Sequence, residues 1–335
     1  MTDSQHMARA MALAASVRAV TSPNPWVGCV LVTASGDVFE GATQPPGGRH
    51  GEAMALAAAS AAGADTAGAT AYVTLEPCGH HGRTPPCADA LIDAGVTRVV
   101  AAIEDPDPSV SGQGLARLRG AGVEVELGVG ADDASALLAP YLHHRRTGRP
   151  YVVLKMAATL DGRIAAPDGG SRWITGDAAR ADVHRLRAES DAVLVGAGTV
   201  RADDPELTVR AVQGRDPLRV VLGAAPPGAK VHPCVEMKGD LPDILDELGG
   251  RDVVQLLVEG GATVAGAFHR AGLVDRYVIY LAPALFGGDD AQGLFTGPGP
   301  ASMSGVWRGR IVVTERLGDD LRIDLVPGVT RPGEG

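Results

Sequence analysis

The chain has 335 residues, 45% hydrophobic and only 4% aromatic, with a net charge of −10. That length exceeds one small domain and suits two, each able to bury a core. The acidic balance argues against a face built for nucleic-acid phosphates, and no apolar run approaches the roughly 20 residues of a membrane span. The N-terminus carries Asp3 and no cationic start to an apolar run, so no signal peptide is read there. The four cysteines make no disulfide framework, and a reduced, cytoplasmic compartment is expected.

In chain order, residues 7–20 read as a helix and 26–33 as a strand ended by Ser35-Gly36-Asp37. An Ala-rich helix follows His50 and stops at Gly63. Residues 71–75 form a strand, 87–94 a helix ended by Gly95, and 98–103 a strand running into the loop 104–108. A helix over 114–119 and a strand over 123–129 follow. The polar run 143–150, with Gly148 and Pro150, reads as a linker whose His143 and His144 are solvated.

The alternation then restarts with a strand at 151–157 and a helix at 178–190, for which Thr175 or Asp177 is a plausible cap. Strands follow at 192–195, 218–222 and 253–258. The last runs through Glu259-Gly260-Gly261 into a helix at 262–271. A strand at 276–282 and two closing strands within 308–327, turning at Gly318-Asp319-Asp320, complete the chain before a frayed tail at 327–335. This alternation implies an α/β fold in two domains, 1–147 and 148–335.

The first half concentrates one kind of chemistry. His50-Gly51-Glu52 is followed by Pro77-Cys78 and then Cys87. That set offers three zinc ligands and one carboxylate that is not a ligand. Zinc lowers the pKa of a bound water to about 7, and a glutamate beside it carries protons to a ring nitrogen and a departing amine. The equipment fits hydrolytic deamination of an amino-heterocycle. A structural zinc site would need a fourth protein ligand, and His80 or His81 is available for it. Both ligand segments sit where helices begin, which stabilises thiolate charge.

The second half offers two glycine turns after apolar strands. Gly196-Ala197-Gly198-Thr199 begins like a dinucleotide fingerprint, but Arg201 stands in place of the third glycine, so a Rossmann reading is rejected. Glu259-Gly260-Gly261 opens a helix, where free N–H groups suit a phosphate. A plain strand-to-helix turn would read the same way.

Together these residues resemble the bifunctional riboflavin-biosynthesis deaminase/reductase family over residues 7–327. The matching pieces are Thr21-Ser22-Pro23-Asn24-Pro25-Trp26-Val27-Gly28-Cys29-Val30, the His50/Glu52 pair, Tyr72 through Cys78, and His81-Gly82-Arg83-Thr84-Pro85-Pro86-Cys87. The second half adds LKMAATLDGR from Lys155, Ser171-Arg172-Trp173-Ile174-Thr175-Gly176, TVRADDPELTVR from Thr199, and Val258-Glu259-Gly260-Gly261. The wide cysteine spacing is this family's own.

The resemblance implies a cytidine-deaminase-like N-terminal domain and a dihydrofolate-reductase-like C-terminal domain. It implies the substrate 2,5-diamino-6-(5-phosphoribosylamino)pyrimidin-4(3H)-one, deaminated with zinc and then reduced with NADPH to the ribityl product. By resemblance His50, Cys78 and Cys87 bind one zinc, Glu52 shuttles protons and Asn24 holds the pyrimidine. Ser171, Arg187, Leu207, Arg210 and Glu259 match substrate positions. Ala157, Trp173, Thr199, Asp203 and the segment Gly261, Ala262, Thr263, Val264, Ala265, Gly266 and Ala267 match NADPH positions. For Trp173 a plain core role is the alternative. A homodimer through the reductase domains, a small-molecule substrate and neither nucleic acid nor membrane as partner are expected.

The chain departs from the family pattern at Gly51, where alanine is usual, and at Thr43, where many members carry histidine. Residues 223–252 match poorly. The alternatives are a monofunctional member with one inactive domain, a nucleic-acid or nucleoside deaminase, and a non-enzymatic nucleotide-binding module.

Overall fold

The computed structural model describes residues 1–79, 85–108 and 110–328. It divides into two compact units, Met1–Gly148 and Arg149–Gly335. Among the described residues no helix is long and apolar enough to cross a membrane.

The first unit runs α1 (Asp3–Ser16), α2 (Arg18–Thr21), β1 (Gly28–Val32), β2 (Val38–Ala42), α3 (Gly51–Ala61), β3 (Thr70–Val73), α4 (Cys87–Asp93), β4 (Arg98–Ala101), α5 (Gln113–Gly120), β5 (Glu124–Leu127), α6 (Ala131–Leu137) and α7 (Ala139–Thr147). Its sheet has the order β2-β1-β3-β4-β5. β1 is antiparallel to both β2 and β3, whereas β3, β4 and β5 are parallel. Met7 and Ala10 of α1 pack with Val30, Tyr72 and Val100 of the sheet.

The second unit runs β6 (Tyr151–Thr159), β7 (Arg163–Ala165), α8 (Asp177–Ala188), β8 (Ala192–Gly196), α9 (Ala197–Asp203), β9 (Leu218–Leu222), β10 (Val235–Met237), α10 (Leu241–Gly249), β11 (Gln255–Val258), α11 (Ala262–Arg270), β12 (Arg276–Ala282), β13 (Gln292–Gly293), β14 (Gly309–Leu317) and β15 (Asp320–Pro327). Its main sheet has the order β10-β9-β8-β11-β6-β12-β15-β14, parallel from β10 to β12 and antiparallel beyond. The central strands β8 and β11 are apolar on both faces because helices cover both. Ala192 and Leu194 of β8 face one core with Leu245, Leu248 and Phe268, while Val193 and Val195 face the other with Val183 and Leu186.

Five sequence readings are corrected. Residues 143–147 are not linker but the end of α7, terminated by Gly148 at φ 73°. His144 is buried, not solvated, because the helix turns it inward. The predicted helix over 7–20 is two helices, breaking at Val17. Neither Thr175 nor Asp177 caps α8: Gly176 holds that position, and its N–H donates to Asp320 Oδ2 at 2.7 Å. A carboxylate far away in sequence replaces the local cap. Of the tail predicted at 327–335, Pro327 is instead the last residue of β15, and 329–335 lie outside the described residues.

A buried charge network ties α8 to the antiparallel edge. Asp324, fully buried, accepts from Arg276 and from Arg322 Nε and Nη2 at 2.7 Å. Arg322 Nη1 also donates to Asp182 of α8 at 2.7 Å, and the Tyr280 hydroxyl donates to the same oxygen at 2.6 Å. Removing one member strands the others without water, which costs far more than losing an exposed pair. Asp324→Ala should lower the unfolding free energy by about 3–5 kcal/mol in urea denaturation of the full chain. A loss under about 1 kcal/mol, typical of a surface pair, would refute this weight.

Candidate active sites

Three distant segments meet in the first unit. His50 is the residue before α3, with extended φ −74° and ψ 165°. Cys78 follows β3, and Cys87 opens α4. Their ligand atoms all lie within 4.8 Å of one another. His50 Nδ1 is 3.7 Å from Cys78 Sγ and 3.4 Å from Cys87 Sγ. Zinc–ligand bonds of 2.3 Å to sulfur and about 2.05 Å to nitrogen, set at tetrahedral angles, separate N and S by about 3.6 Å. The observed distances bracket that value, so these residues fit a zinc ion without rearrangement. His80 and His81, the alternative fourth ligands, lie outside the described residues.

The local charges agree. The Cys87 thiol is the largest influence holding Cys78 down to about 4, with His50 adding to it against the opposing effect of burial. The Cys87 backbone N–H also donates to Cys78 Sγ at 3.2 Å. Cys87 itself is pushed up because it donates to that thiolate. Glu52, in the first turn of α3, is only 3% exposed. Burial, then the Cys78 charge, pushes it up to about 7. Its Oε2 has no hydrogen-bond partner. A buried carboxylate oxygen left unpaired beside two thiols and an imidazole is costly unless something binds there.

A cavity of about 520 Å³ opens onto this cluster, and Asn24, Thr43, His50, Glu52 and Cys78 all line it. Sequence reasoning missed Asp105, Asp107, Tyr141 and Arg145 on the same wall. The Tyr141 hydroxyl donates to Asp105 at 3.1 Å, and Arg145 stands over the Tyr141 ring. The two acids lie beyond the carboxyl end of β4, where α/β sheets place ligands. Tyr141 and Arg145 come from α7, part of which reads as linker in the sequence.

Glu76 is the second omission. This buried carboxylate accepts from four backbone N–H groups: Asp105 at 3.2 Å, Gly112 at 3.0 Å, Gly114 at 2.9 Å and Leu115 at 3.2 Å. It caps α5 and ties the loop bearing Asp105 to the turn that presents Cys78. The motif contains Glu76, but only the fold reveals its partners. Gly51 is also explained: a Cβ there would come within 2.8 Å of the Val27 carbonyl oxygen. Thr43 sits beside it, its hydroxyl accepting from Val27 N at 3.2 Å.

In the second unit, two residues read as substrate ligands bind each other. Arg187 of α8 donates to Glu259 from Nε at 2.6 Å and from Nη2 at 2.9 Å, with the side chains 12% and 9% exposed. Burial alone would raise Glu259, but the Arg187 charge and hydrogen bonds outweigh it and hold the carboxyl below its usual range. Lys155 of β6 belongs to the same cluster. Burial pulls its pKa down, with the Glu259 charge opposing. The sequence marks Lys155 only as part of a motif.

The other positions also draw together. Ser171 Oγ donates to Asp203 Oδ1 at 3.2 Å, and the Thr199 hydroxyl accepts from Gly261 N at 3.2 Å. Arg187 Nη1 donates to the Thr208 carbonyl at 3.2 Å, beside Leu207, whose side chain is buried in the core. Arg210 is exposed and pairs with Glu206 one turn of chain away. Trp173 is 71% exposed, with the Arg180 guanidinium 4.6 Å from its ring centroid, so it is not core. Gly261 precedes α11 with no side chain capping the helix, leaving its first N–H groups available. Ala262, Thr263 and Val264 form that first turn, and Ala265 and Gly266 lie buried behind it, followed by Ala267. Ala157 lies in β6 beside Lys155.

Comparison with known proteins agrees with both halves. The model of the cytidine and deoxycytidylate deaminase zinc-binding region matches residues 1–103, and that of the RibD C-terminal domain matches residues 150–323. The riboflavin biosynthesis protein RibD of Escherichia coli K12 is 42% identical, covering 97% of this chain and 100% of its own. That of Mycobacterium tuberculosis is 43% identical over 92% and 93%. Among solved structures, Acinetobacter baumannii RibD superimposes with a TM-score of 0.90 at 39% identity, covering 98% of this chain and 99% of that one. The diaminohydroxyphosphoribosylaminopyrimidine deaminase/5-amino-6-(5-phosphoribosylamino)uracil reductase of Thermotoga maritima does so at 0.88 and 34%, covering 97% and 99%. The chain therefore belongs to the RibD family: a bifunctional enzyme of riboflavin biosynthesis that joins a zinc-dependent, cytidine-deaminase-like hydrolase to an NADPH-dependent reductase of dihydrofolate-reductase-like fold.

Proposed function

We propose that the chain converts 2,5-diamino-6-(5-phosphoribosylamino)pyrimidin-4(3H)-one to the aminouracil in a domain spanning 1–147, then reduces the ribosyl to ribityl in a domain spanning 148–335. The observation that carries the first step is the His50/Cys78/Cys87 cluster with the unpaired Glu52 oxygen beside it. Zinc bound by those three residues supplies an activated water near neutral pH. Asn24 holds the pyrimidine in the cavity. Glu52 would carry one proton from the attacking water to the ring nitrogen, and a second from the added hydroxyl to the amino group, which leaves as ammonia as the C–N bond breaks and the carbonyl forms. Its shift to about 7 suits a group that must both take and give a proton.

For the second step, bound NADPH would supply the hydride that reduces C1′ of the sugar, the ring oxygen released on opening taking a proton. Ala157, Trp173, Thr199, Asp203 and residues 261–267 are proposed to hold the cofactor. Ser171, Arg187, Leu207, Arg210 and Glu259 are proposed to hold the substrate. Arg187 is already committed to Glu259 and buried with it, so the pair orients the sugar, while the exposed Arg210, paired only at the surface with Glu206, is the better grip for the 5-phosphate. Cytoplasmic action is part of this reading.

A homodimer through the reductase domain is supported by β14. This strand is a sheet edge with Ile311 57% and Val312 38% exposed, and the nearby Met303 is 73% exposed. Open apolar edges invite pairing with another copy. Light scattering should give twice the chain mass, and Ile311→Lys should shift it toward one chain. A monomeric wild type at micromolar concentration refutes the proposal.

The function is tested by following ammonia release and NADPH oxidation separately with the diaminopyrimidine. Glu52→Gln should keep bound zinc, measured by metal analysis, yet lose ammonia release by a factor of 100 or more, as expected for a general acid–base group, roughly 10²–10⁴-fold. Near-normal deamination by this variant rules out the assigned role. Arg210→Ala should lower kcat/KM for the phosphorylated substrate about 10- to 100-fold, the worth of a charged hydrogen bond. It should leave a dephosphorylated analogue and the deamination step unchanged. Equal losses on both substrates would mean that Arg210 supports the fold and not the phosphate.

A further inference from the structure

Arg201 is the residue that breaks the glycine fingerprint after β8, and nothing in the reading so far uses it. It lies exposed on α9. Among the described residues it has no side-chain partner, although acids surround it in sequence. Each of those acids is engaged elsewhere. Asp203 accepts from the Ser171 hydroxyl, Asp204 from Lys230 N at 2.8 Å, and Glu206 pairs with Arg210. The guanidinium is therefore an uncompensated positive charge in this part of the unit.

Its place in the fold suggests what it meets. Ala197, four residues earlier on α9, lies so near the turn after β9 that a Cβ on Gly223 would be 3.1 Å from its own Cβ. Residues four apart share a helix face. Arg201 is thereby set on the side of α9 that faces the carboxyl end of β9. In parallel sheets a ligand lies across those carboxyl ends. Here the uncapped start of α11 follows β11, and the sheet continues outward through β8, β9 and β10.

The charged cluster of Lys155, Arg187 and Glu259 occupies the β6 and β11 side. The redox end of the cofactor belongs there, with its pyrophosphate at the start of α11. The adenosine half must then extend toward β9. The 2′-phosphate of NADPH is carried on the ribose next to the pyrophosphate. It therefore falls within one or two strand spacings of β11, about 5–10 Å. Arg201 belongs to the helix that follows β8, the strand one spacing from β11. Lys238, which follows β10, stands three spacings out, about 14 Å.

We propose that Arg201 recognises the 2′-phosphate of the cofactor and so makes the reductase unit select NADPH over NADH. The inference rests on the proposed cofactor site at Thr199 and Gly261. A guanidinium offers two parallel donors to a phosphate dianion and nothing to the hydroxyl that replaces it in NADH.

The test is direct binding of NADPH and of NADH to the full-length zinc-loaded protein, followed by calorimetry without substrate. Arg201→Ala should weaken NADPH about 10- to 100-fold and leave NADH within twofold, and Arg201→Lys should recover part of the loss. Lys238→Ala should change neither. The thermal midpoint without cofactor should not move, because Arg201 is exposed and unbonded. Three results overturn the assignment: unchanged NADPH binding, equal weakening of both cofactors, or discrimination lost in Lys238→Ala instead. A wild type that binds neither cofactor would overturn the cofactor site itself, and Arg201 with it.

Discussion

Two thiols, an imidazole and a carboxylate crowd into one largely buried place, and the first unit is organised around keeping them there. Negative charge in low dielectric is costly. Cys78 bears it only because the Cys87 thiol, the Cys87 N–H and His50 donate to it. Glu52, with one oxygen unpaired, holds its proton more tightly than an ordinary carboxyl. A dication at the centre would turn each of these repulsions into an attraction. The cluster is thus arranged for an ion at some cost to the fold's own stability, as expected where metal affinity and folding are coupled.

That arrangement needs rigid supports, and they are mostly backbone. α3 and α4 begin at the cluster, so His50 and Cys87 are held at the starts of helices. Glu76 does the rest for Cys78, since its four N–H partners fasten the strand end to the start of α5. The second unit solves a similar problem with ion pairs. Arg187 and Glu259 hold each other across α8 and the turn after β11, and Arg322 and Asp324 anchor the middle of α8 through Asp182. Buried pairs of this kind add little net stability over apolar packing, but each fixes one geometry and penalises its loss.

The parts of the site that are legible in the sequence share a property: they depend on local order. His50 before Glu52, Cys78 after a strand, and a glycine pair before α11 each announce themselves within a few residues. The central strands of the second unit are equally plain, because an apolar run buried on both faces has few other uses. What is hidden depends on distant partners. Glu76 gains its meaning from N–H groups about 30–40 residues away, and Asp320 caps a helix 144 residues earlier. α7 looks like a linker because its polar residues are read one at a time. On the helix, Tyr141, Leu142 and His144 turn inward while Arg146 and Thr147 face water. The short elements β2, β7, β10 and α10 are missed because three to nine residues carry too little periodicity to stand out.

The two departures from the family pattern illustrate the same dependence. Gly51 looks like a loss, since glycine is the poorer helix former by about 1 kcal/mol. Yet the first turn of α3 presses against β1 so closely that a methyl group would collide with the Val27 carbonyl oxygen. Overpacking of that kind costs about 1–3 kcal/mol, more than the propensity gained. Thr43 is its neighbour in this respect: its N–H and hydroxyl both engage Val27, fixing the strand that α3 leans on. Threonine there closes the cavity wall with a small side chain bonded to backbone, where a histidine would project a larger titratable group. The helix that carries His50 and Glu52 can sit close to the sheet because both positions are small, and the spacing of the ligands follows from that closeness.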